Sequence, residues 1–397
     1  MPTRRDFLKQ SSLIALAPSI PLFLANSARS AEQGRHERIL VVVQLDGGND
    51  GINTVIPFAD DGYEQHRRTL RIATDRLIKI DDHVGLHPAL RGAADLLEKQ
   101  QLAIVQGVGY PNPNRSHDVS MRIWQTARFD PDEHKSFGWI GRTADELPGP
   151  TSGGPSSLLL GDENPPVAIR GRKSAAGALA SLHDFDAEIP AAAGRSPPTN
   201  DAGGLAAFIH RTTFDARSTA DRVRDLARHD ADGVTYPSTK LAGRLNLIAQ
   251  LIKADFGTRI YYAVQSGYDT HAVQLPAHAD LLRELAGALK AFIDDLQSAG
   301  AADRVLVLCF SEFGRRVEEN ASAGTDHGTA GPVILAGPSV NPGLIGAAPS
   351  LLDLENGDLK MAVDFRQVYA TVLESWLGVP AAGVLAGKFE PLGLLKS

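Results

Sequence analysis

The chain has 397 residues, 43% hydrophobic and 22% charged, which is enough apolar length for a large core and excludes disorder as its default state. A formal net charge of −7 supplies no basic field for a polyanion, so nucleic acid is excluded as an expected partner. The lone Cys309 excludes an internal disulfide framework and a zinc–cysteine cluster, and its place in "RVLVLCFSE" marks it as a buried small hydrophobe.

Residues 1–31 read as a twin-arginine export signal. Arg4 and Arg5 open "TRRDFLK", the moderately apolar "SSLIALAPSIPLFLA" follows, and small residues at "ANSARSA" offer cleavage around Ala28 to Ala31. Pro18 and Pro21 interrupt the apolar stretch, which is short for a membrane span, so no stable transmembrane segment is expected after processing. The expected location is periplasmic or secreted, with the twin-arginine machinery as an export partner. That route carries folded proteins, which favours a metal acquired before export.

The mature chain, 32–397, reads as one α/β domain. "RILVVVQLDGGNDG" is a continuous apolar run that stops at Asp46 and a glycine-rich turn, as strands buried on both faces do. Similar runs recur at "QLAIVQG", "TRIYYAVQ", "RVLVLCF" and "GPVILAG". Between them "HADLLRELAGALKAFIDDLQSAG" has helical period, with Leu282, Leu285, Leu289, Phe292 and Leu296 on one face. Strands alternating with helices predict a mostly parallel central sheet with helices on both faces. From about 143 to 240 the chain is rich in Gly, Pro, Ser and Ala, and reads as an inserted cap with one long helix near 203–229.

Open α/β sheets bind ligands beyond the carboxyl ends of their strands. The residues following the apolar runs are Asp46, Asn49, Asp50 and Asn53; Arg115, Ser116, His117 and Asp118; Asp269 and His271; and Ser311, Glu312, Arg315 and Arg316. Asp326 and His327 occupy the loop before "PVILAG". Oxygen and imidazole groups of this kind suit a divalent cation such as zinc, manganese, calcium or magnesium, as one ion or two. Ser116 stands at the N-cap of the helix predicted over "RSHDVSMRIWQTA". There it either caps the helix or, facing the positive end of the dipole beside a cation, acts as a nucleophile. His117 is open to a role as ligand, base or substrate contact. Arg315 and Arg316 either pair with carboxylates or clamp an oxyanion. His87 and His278 are each open to structural or site roles.

Together "VQLDGGNDGINTVIPF", "RSHDVSMRIWQT", "FGWIGR", "GYDTHAVQ", "FSEFGRRVEEN" and "GTDHGTAGP" resemble the DUF1501 family of exported bacterial proteins, over about residues 38 to 393. That family is grouped with the alkaline phosphatase and sulfatase superfamily. The resemblance implies an alkaline phosphatase-like fold with a one- or two-metal site for phosphate or sulfate ester chemistry. By order along the chain it implies Asp46 as the first metal ligand, Ser116 as nucleophile, Asp269 and His271 as the next ligand pair, and His327 as the last. Glu312 stands where an Asp followed by His is usual, and "SEFG" departs from that pair. No Cys/Ser-x-Pro-x-Arg signature is present, which disfavours a formylglycine-dependent sulfatase.

The expectation is an exported metal-dependent hydrolase. Its ligands come from Asp46, Asp269, His271, Glu312, Asp326 and His327, with Ser116, His117 and Arg315 as the catalytic set. The substrate is a small anionic ester or an envelope glycan or lipid. The alternative is an exported binding or envelope-assembly protein that keeps the fold and one structural ion. A transferase acting on an envelope glycan or lipid would use the same site.

Overall fold

The computed structural model describes residues 37–130, 137–148, 155–174, 176–180 and 234–396. The export signal expected at 1–31 and the helix expected near 203–229 lie outside the described residues.

The apolar runs form a nine-stranded sheet. Its strands are β1 (Ile39–Asp46), β2 (Leu102–Gly109), β3 (Ser157–Leu160), β4 (Ala176–Leu179), β5 (Ile260–Ser266), β6 (Val305–Ser311), β7 (Gly331–Ala336), β8 (Gly343–Ile345) and β9 (Val363–Asp364). The order is β8-β2-β7-β6-β1-β5-β3-β4, with β9 also paired to β2. Every pairing is parallel except those of β7, which runs antiparallel to both β2 and β6. β1 sits at the centre, in register with β5 from Leu40↔Ile260 to Asp46↔Ser266 and with β6 from Ile39↔Val305 to Leu45↔Ser311.

The period of two along β1 divides the core. Ile39, Val41, Val43 and Leu45 face one layer, packed by α1 (Arg91–Glu98), α4 (Lys240–Lys253) and α5 (Gln274–Ser298). Leu40 and Val42 face the other, packed by α2 (His117–Thr126), α3 (Trp139–Glu146), α6 (Phe365–Thr371) and α7 (Ala381–Leu385). The five apolar positions that predicted α5 are all buried, and Cys309 lies in the core within β6, its thiol pushed up by burial. Among the described residues no helix is long and apolar enough to cross a membrane.

Two segments of the span read as a cap, about 143 to 240, belong to the sheet. Ser157–Leu160 and Ala176–Leu179 extend the central sheet beside β5, because a short run such as "SLLL" buries both faces once a parallel neighbour satisfies its backbone.

Candidate metal centre at the strand ends

Three histidines, one at the start of α2 and two from loops, aim the same ring atom at one carboxylate oxygen. Asp269 Oδ1 lies 3.3 Å from His117 Nε2, 3.2 Å from His327 Nε2 and 3.0 Å from His271 Nε2. His271 Nε2 is 2.9 Å from His327 Nε2. The ligand atoms of His117, Asp269 and His327 all lie within 4.8 Å of one another.

The opposite ring nitrogens set the tautomers. His117 Nδ1 lies 2.7 Å from Glu312 Oε1, His327 Nδ1 lies 2.7 Å from the Arg115 carbonyl, and His271 Nδ1 lies 3.3 Å from Asp326 Oδ1. Where Nδ1–H serves each acceptor, a neutral ring would turn its Nε2 lone pair toward the cluster. His117 Nε2 is buried and has no hydrogen-bond partner. Donors about 2.0–2.2 Å from a tetrahedral cation sit roughly 3.3 Å apart, close to the separations around Asp269. The donor set therefore fits a divalent cation in charge, tautomer and spacing.

The local sequence explains why these loops meet. Gly47 follows β1 at φ +118°, and a Cβ there would lie 2.4 Å from the Asp269 backbone nitrogen. Gly324 opens "GTDHG" against the His271 carbonyl carbon, where a Cβ would come within 2.2 Å. Only a residue without a side chain lets these strand-end loops touch.

Arg315 lies beneath the loops. Its guanidinium donates to the carbonyls of Gly47, Gly48 (2.8 Å), Tyr268 (2.9 Å) and Thr325 (2.8 Å) and to Asp269 Oδ1 (2.7 Å), with no side-chain surface exposed. Of the two roles open to Arg315, pairing with a carboxylate is the one seen, its guanidinium being taken up by loop carbonyls and by Asp269. Burial would raise the Asp269 carboxyl, but the Arg315 hydrogen bond and charge outweigh it and hold the group well below the usual carboxylate range. Hydrogen bonding to Glu312 raises His117 against the effect of burial, whereas burial lowers His327.

The other expected ligands sit one layer out. Glu312 is buried, accepting from the Gly47 N–H (3.0 Å) and Ser311 Oγ (3.0 Å) as well as facing His117. Asp326 partners His271 and is anchored by Asn320 Nδ2 at 3.1 Å, which pulls its pKa down. Both are placed to orient a histidine rather than to face the common point. Asp46, at the end of β1, accepts from Gln44 Nε2 at 3.1 Å. Burial and the neighbouring Glu312 charge push its carboxyl up. It borders the cluster beside Glu312 and His117 without belonging to the mutually close donor set.

Ser116 occupies the N-cap position of α2, yet its side chain makes no capping hydrogen bond and is exposed. The hydroxyl is left free beside the N–H groups that open the helix, next to His117. His87 and His278 take structural roles: His87 Nδ1 accepts from the Ala89 N–H at 3.0 Å, and His278 Nε2 meets Asn49 Oδ1 at 3.0 Å. Burial lowers each to about 4.

Sequence reasoning missed Arg67. It forms a forked pair with Asp50, at 2.6 and 2.9 Å, with neither side chain exposed, and Gln274 also donates to Asp50. An Arg at the end of a short helix in "YEQHRRTLR" carries no periodic or motif signal that could single it out.

Among solved structures the chain is similar to the PsFucS1 sulfatase from Pseudoalteromonas sp. at 12% identity and TM-score 0.42, covering 93% of this chain and 74% of that one. It is similar to the phosphonate monoester hydrolase SpPMH from Silicibacter pomeroyi at 11% identity and TM-score 0.40, covering 89% and 76%. A protein of the alkaline phosphatase superfamily from Vibrio parahaemolyticus gives 10% identity and TM-score 0.38, covering 90% and 71%. No residue role transfers at these identities. No curated protein sequence matches the chain. The family model described as "Protein of unknown function (DUF1501)" matches residues 37–384, a span that includes all eight residues at or beside the cluster and Arg315 beneath it, and the chain belongs to that family.

Proposed function

We propose that the chain is an exported metal-dependent hydrolase of a phosphate or sulfate ester. The observation that carries this is the convergence of three Nε2 atoms on Asp269, each ring fixed by an oxygen acceptor at Nδ1. Neutral imidazoles in those tautomers turn their lone pairs toward one another, an arrangement that a cation stabilises.

His117, Asp269, His271 and His327 would hold the ion. Bound there, a divalent cation supplies Lewis-acid neutralisation of an anionic ester. Glu312, Asp326 and the Arg115 carbonyl orient the rings, and Arg315 fixes the Asp269 carboxylate and the loop carbonyls. Ser116 Oγ, uncommitted at the start of α2, is the nucleophile, and the helix N-terminus favours the anion it attacks. Twin-arginine export and a periplasmic or secreted location complete the proposal.

The test is elemental analysis of purified protein followed by a panel of phosphate and sulfate esters. Metal at one or two ions per chain with turnover of at least one ester supports the reading. A second reading, a non-catalytic exported binding or assembly protein with a structural ion, is motivated by "SEFG", in which Glu312 is taken up by His117, Ser311 and the Gly47 N–H. Bound metal with no turnover of any ester would favour it.

A further inference from the structure

A cleft of about 740 Å³ opens next to the cluster, within the roughly 300–1,000 Å³ range of small-molecule sites. One wall is the loop after β2, ending at Arg115, whose carbonyl accepts from His327. The other is a short hairpin, Leu354–Glu355 paired with Asp358–Leu359, turned by Asn356 and Gly357. Both turn residues have positive φ, +53° and +81°, as a two-residue Asn-Gly turn requires. This turn fixes the register of the hairpin wall.

The lining chemistry selects among ligands. Arg115 pairs with Asp358 and Lys360 with Asp353, so each cation in the cleft wall already has a carboxylate partner. Asp358 is 1% exposed, yet its Oδ1 has no hydrogen-bond partner; Arg316 Nε, at 3.4 Å, lies out of alignment. The side-chain amides of Asn112 and Asn356 and the carboxylate of Glu355 make no hydrogen bond to other described residues. Uncommitted amides and carboxylates with balanced charge suit vicinal hydroxyl groups, which donate and accept together. Pro111 and the exposed side chain of Met361 give the same cleft an apolar floor for the C–H face of a ring.

We propose that this cleft is a subsite for a neutral pyranose ring, the alcohol portion of the ester whose acidic group meets the metal cluster. The proposal extends the reading above by naming the alcohol as a sugar and locating where it is held. Arg115 joins the two sites, its side chain in the cleft wall and its carbonyl on His327.

The experiment is saturation-transfer NMR of the mature full chain with neutral cello-, malto-, xylo- and chito-oligosaccharides, and with glycerol as a non-ring polyol. At least one oligosaccharide should bind saturably. The Asn112→Gly/Asn356→Gly double variant keeps both positive-φ positions unstrained while removing both amides, and it should weaken binding by about tenfold, the loss expected for two hydrogen bonds. Glu355→Ala, on the exposed hairpin, is a second probe with the same expected direction. The proposal is overturned if no oligosaccharide binds, if glycerol responds equally, or if binding is indifferent to both cleft variants. Sugar binding that persists in protein with no metal and no ester turnover would remove the hydrolase reading and leave the subsite standing.

Discussion

His271 Nε2 and His327 Nε2 stand 2.9 Å apart with their Nδ1 atoms directed at Asp326 and the Arg115 carbonyl. Two acceptor nitrogens at that separation repel unless a proton or a cation lies between them. The proposed ion would resolve the conflict for both rings and for the Nε2 of His117, which has no hydrogen-bond partner among the described residues.

Removing either ring should therefore remove the ion. His327→Ala and His117→Ala are each expected to lower bound metal below a tenth of the wild-type content by elemental analysis. Thermal unfolding of wild type in excess chelator should fall toward that of the variants, because an ion bound only by the native state stabilises it. Unchanged metal content in both variants would sink the assignment.

Glu312→Gln tests the orienting layer. The variant keeps the size of the side chain but loses the charge that holds His117 Nδ1–H, so metal affinity should drop by roughly 10–100-fold. Isothermal titration with zinc and manganese would measure it.

Ser116→Ala is predicted to abolish ester turnover while leaving metal content and unfolding midpoint within error of wild type, since the hydroxyl caps nothing. Wild-type rates in this variant would eliminate Ser116 as nucleophile.

The Asp50–Arg67 pair governs acid stability. Asp50 is held at about 2 against an ordinary 3.8: burial opposes ionisation, and the Arg67 charge and hydrogen bonds more than compensate. A depressed carboxyl stabilises the fold above pH 3.8 and loses that contribution, about 2 kcal/mol, as pH falls toward 2. His278 and His87, lowered to about 4 from 6.5, act earlier. The unfolded chain takes up their protons first, so stability should decline from pH 6.5 to 4 and then again below 3.8. Urea melts across that range would show two falling segments, and His278→Gln should flatten the first.

Arg67→Ala should destabilise by about 3–5 kcal/mol at pH 7, because Asp50 would be left charged and buried without its partner. Chemical denaturation reads this directly. A loss below about 1 kcal/mol would show that water or Gln274 suffices for Asp50.

Much of this arrangement was legible in sequence because the signals were local. The both-face-buried strands announced themselves as apolar runs, and the helix over Gln274–Ser298 by its repeating leucines. The strand-end rule brought Asp269, His271, Glu312 and His327 onto one list. Which of them face the proposed ion was not legible, since tautomer and direction depend on partners distant in the chain, such as Glu312 for His117 and the Arg115 carbonyl for His327. For Arg315 the sequence leaves carboxylate pairing and oxyanion clamping both open, because the carbonyls that join Asp269 in taking it up come from three other loop segments. The strands Ser157–Leu160 and Ala176–Leu179 were hidden by the glycine- and proline-rich composition around them. The Asn-Gly turn at 356–357 was readable as a hairpin and went unused.

The backward course of β7 has a geometric result. An ordinary crossover leaves one edge of a sheet and enters the next strand from the opposite edge, which would carry the segment just before β7 some six residues away, roughly 20 Å. Here the polypeptide departs from Ser311 and comes home to the same rim at Gly331. A single excursion thus delivers both Glu312 at its outset and His327 near its close, and one flipped strand does the gathering that two connections would otherwise have to share.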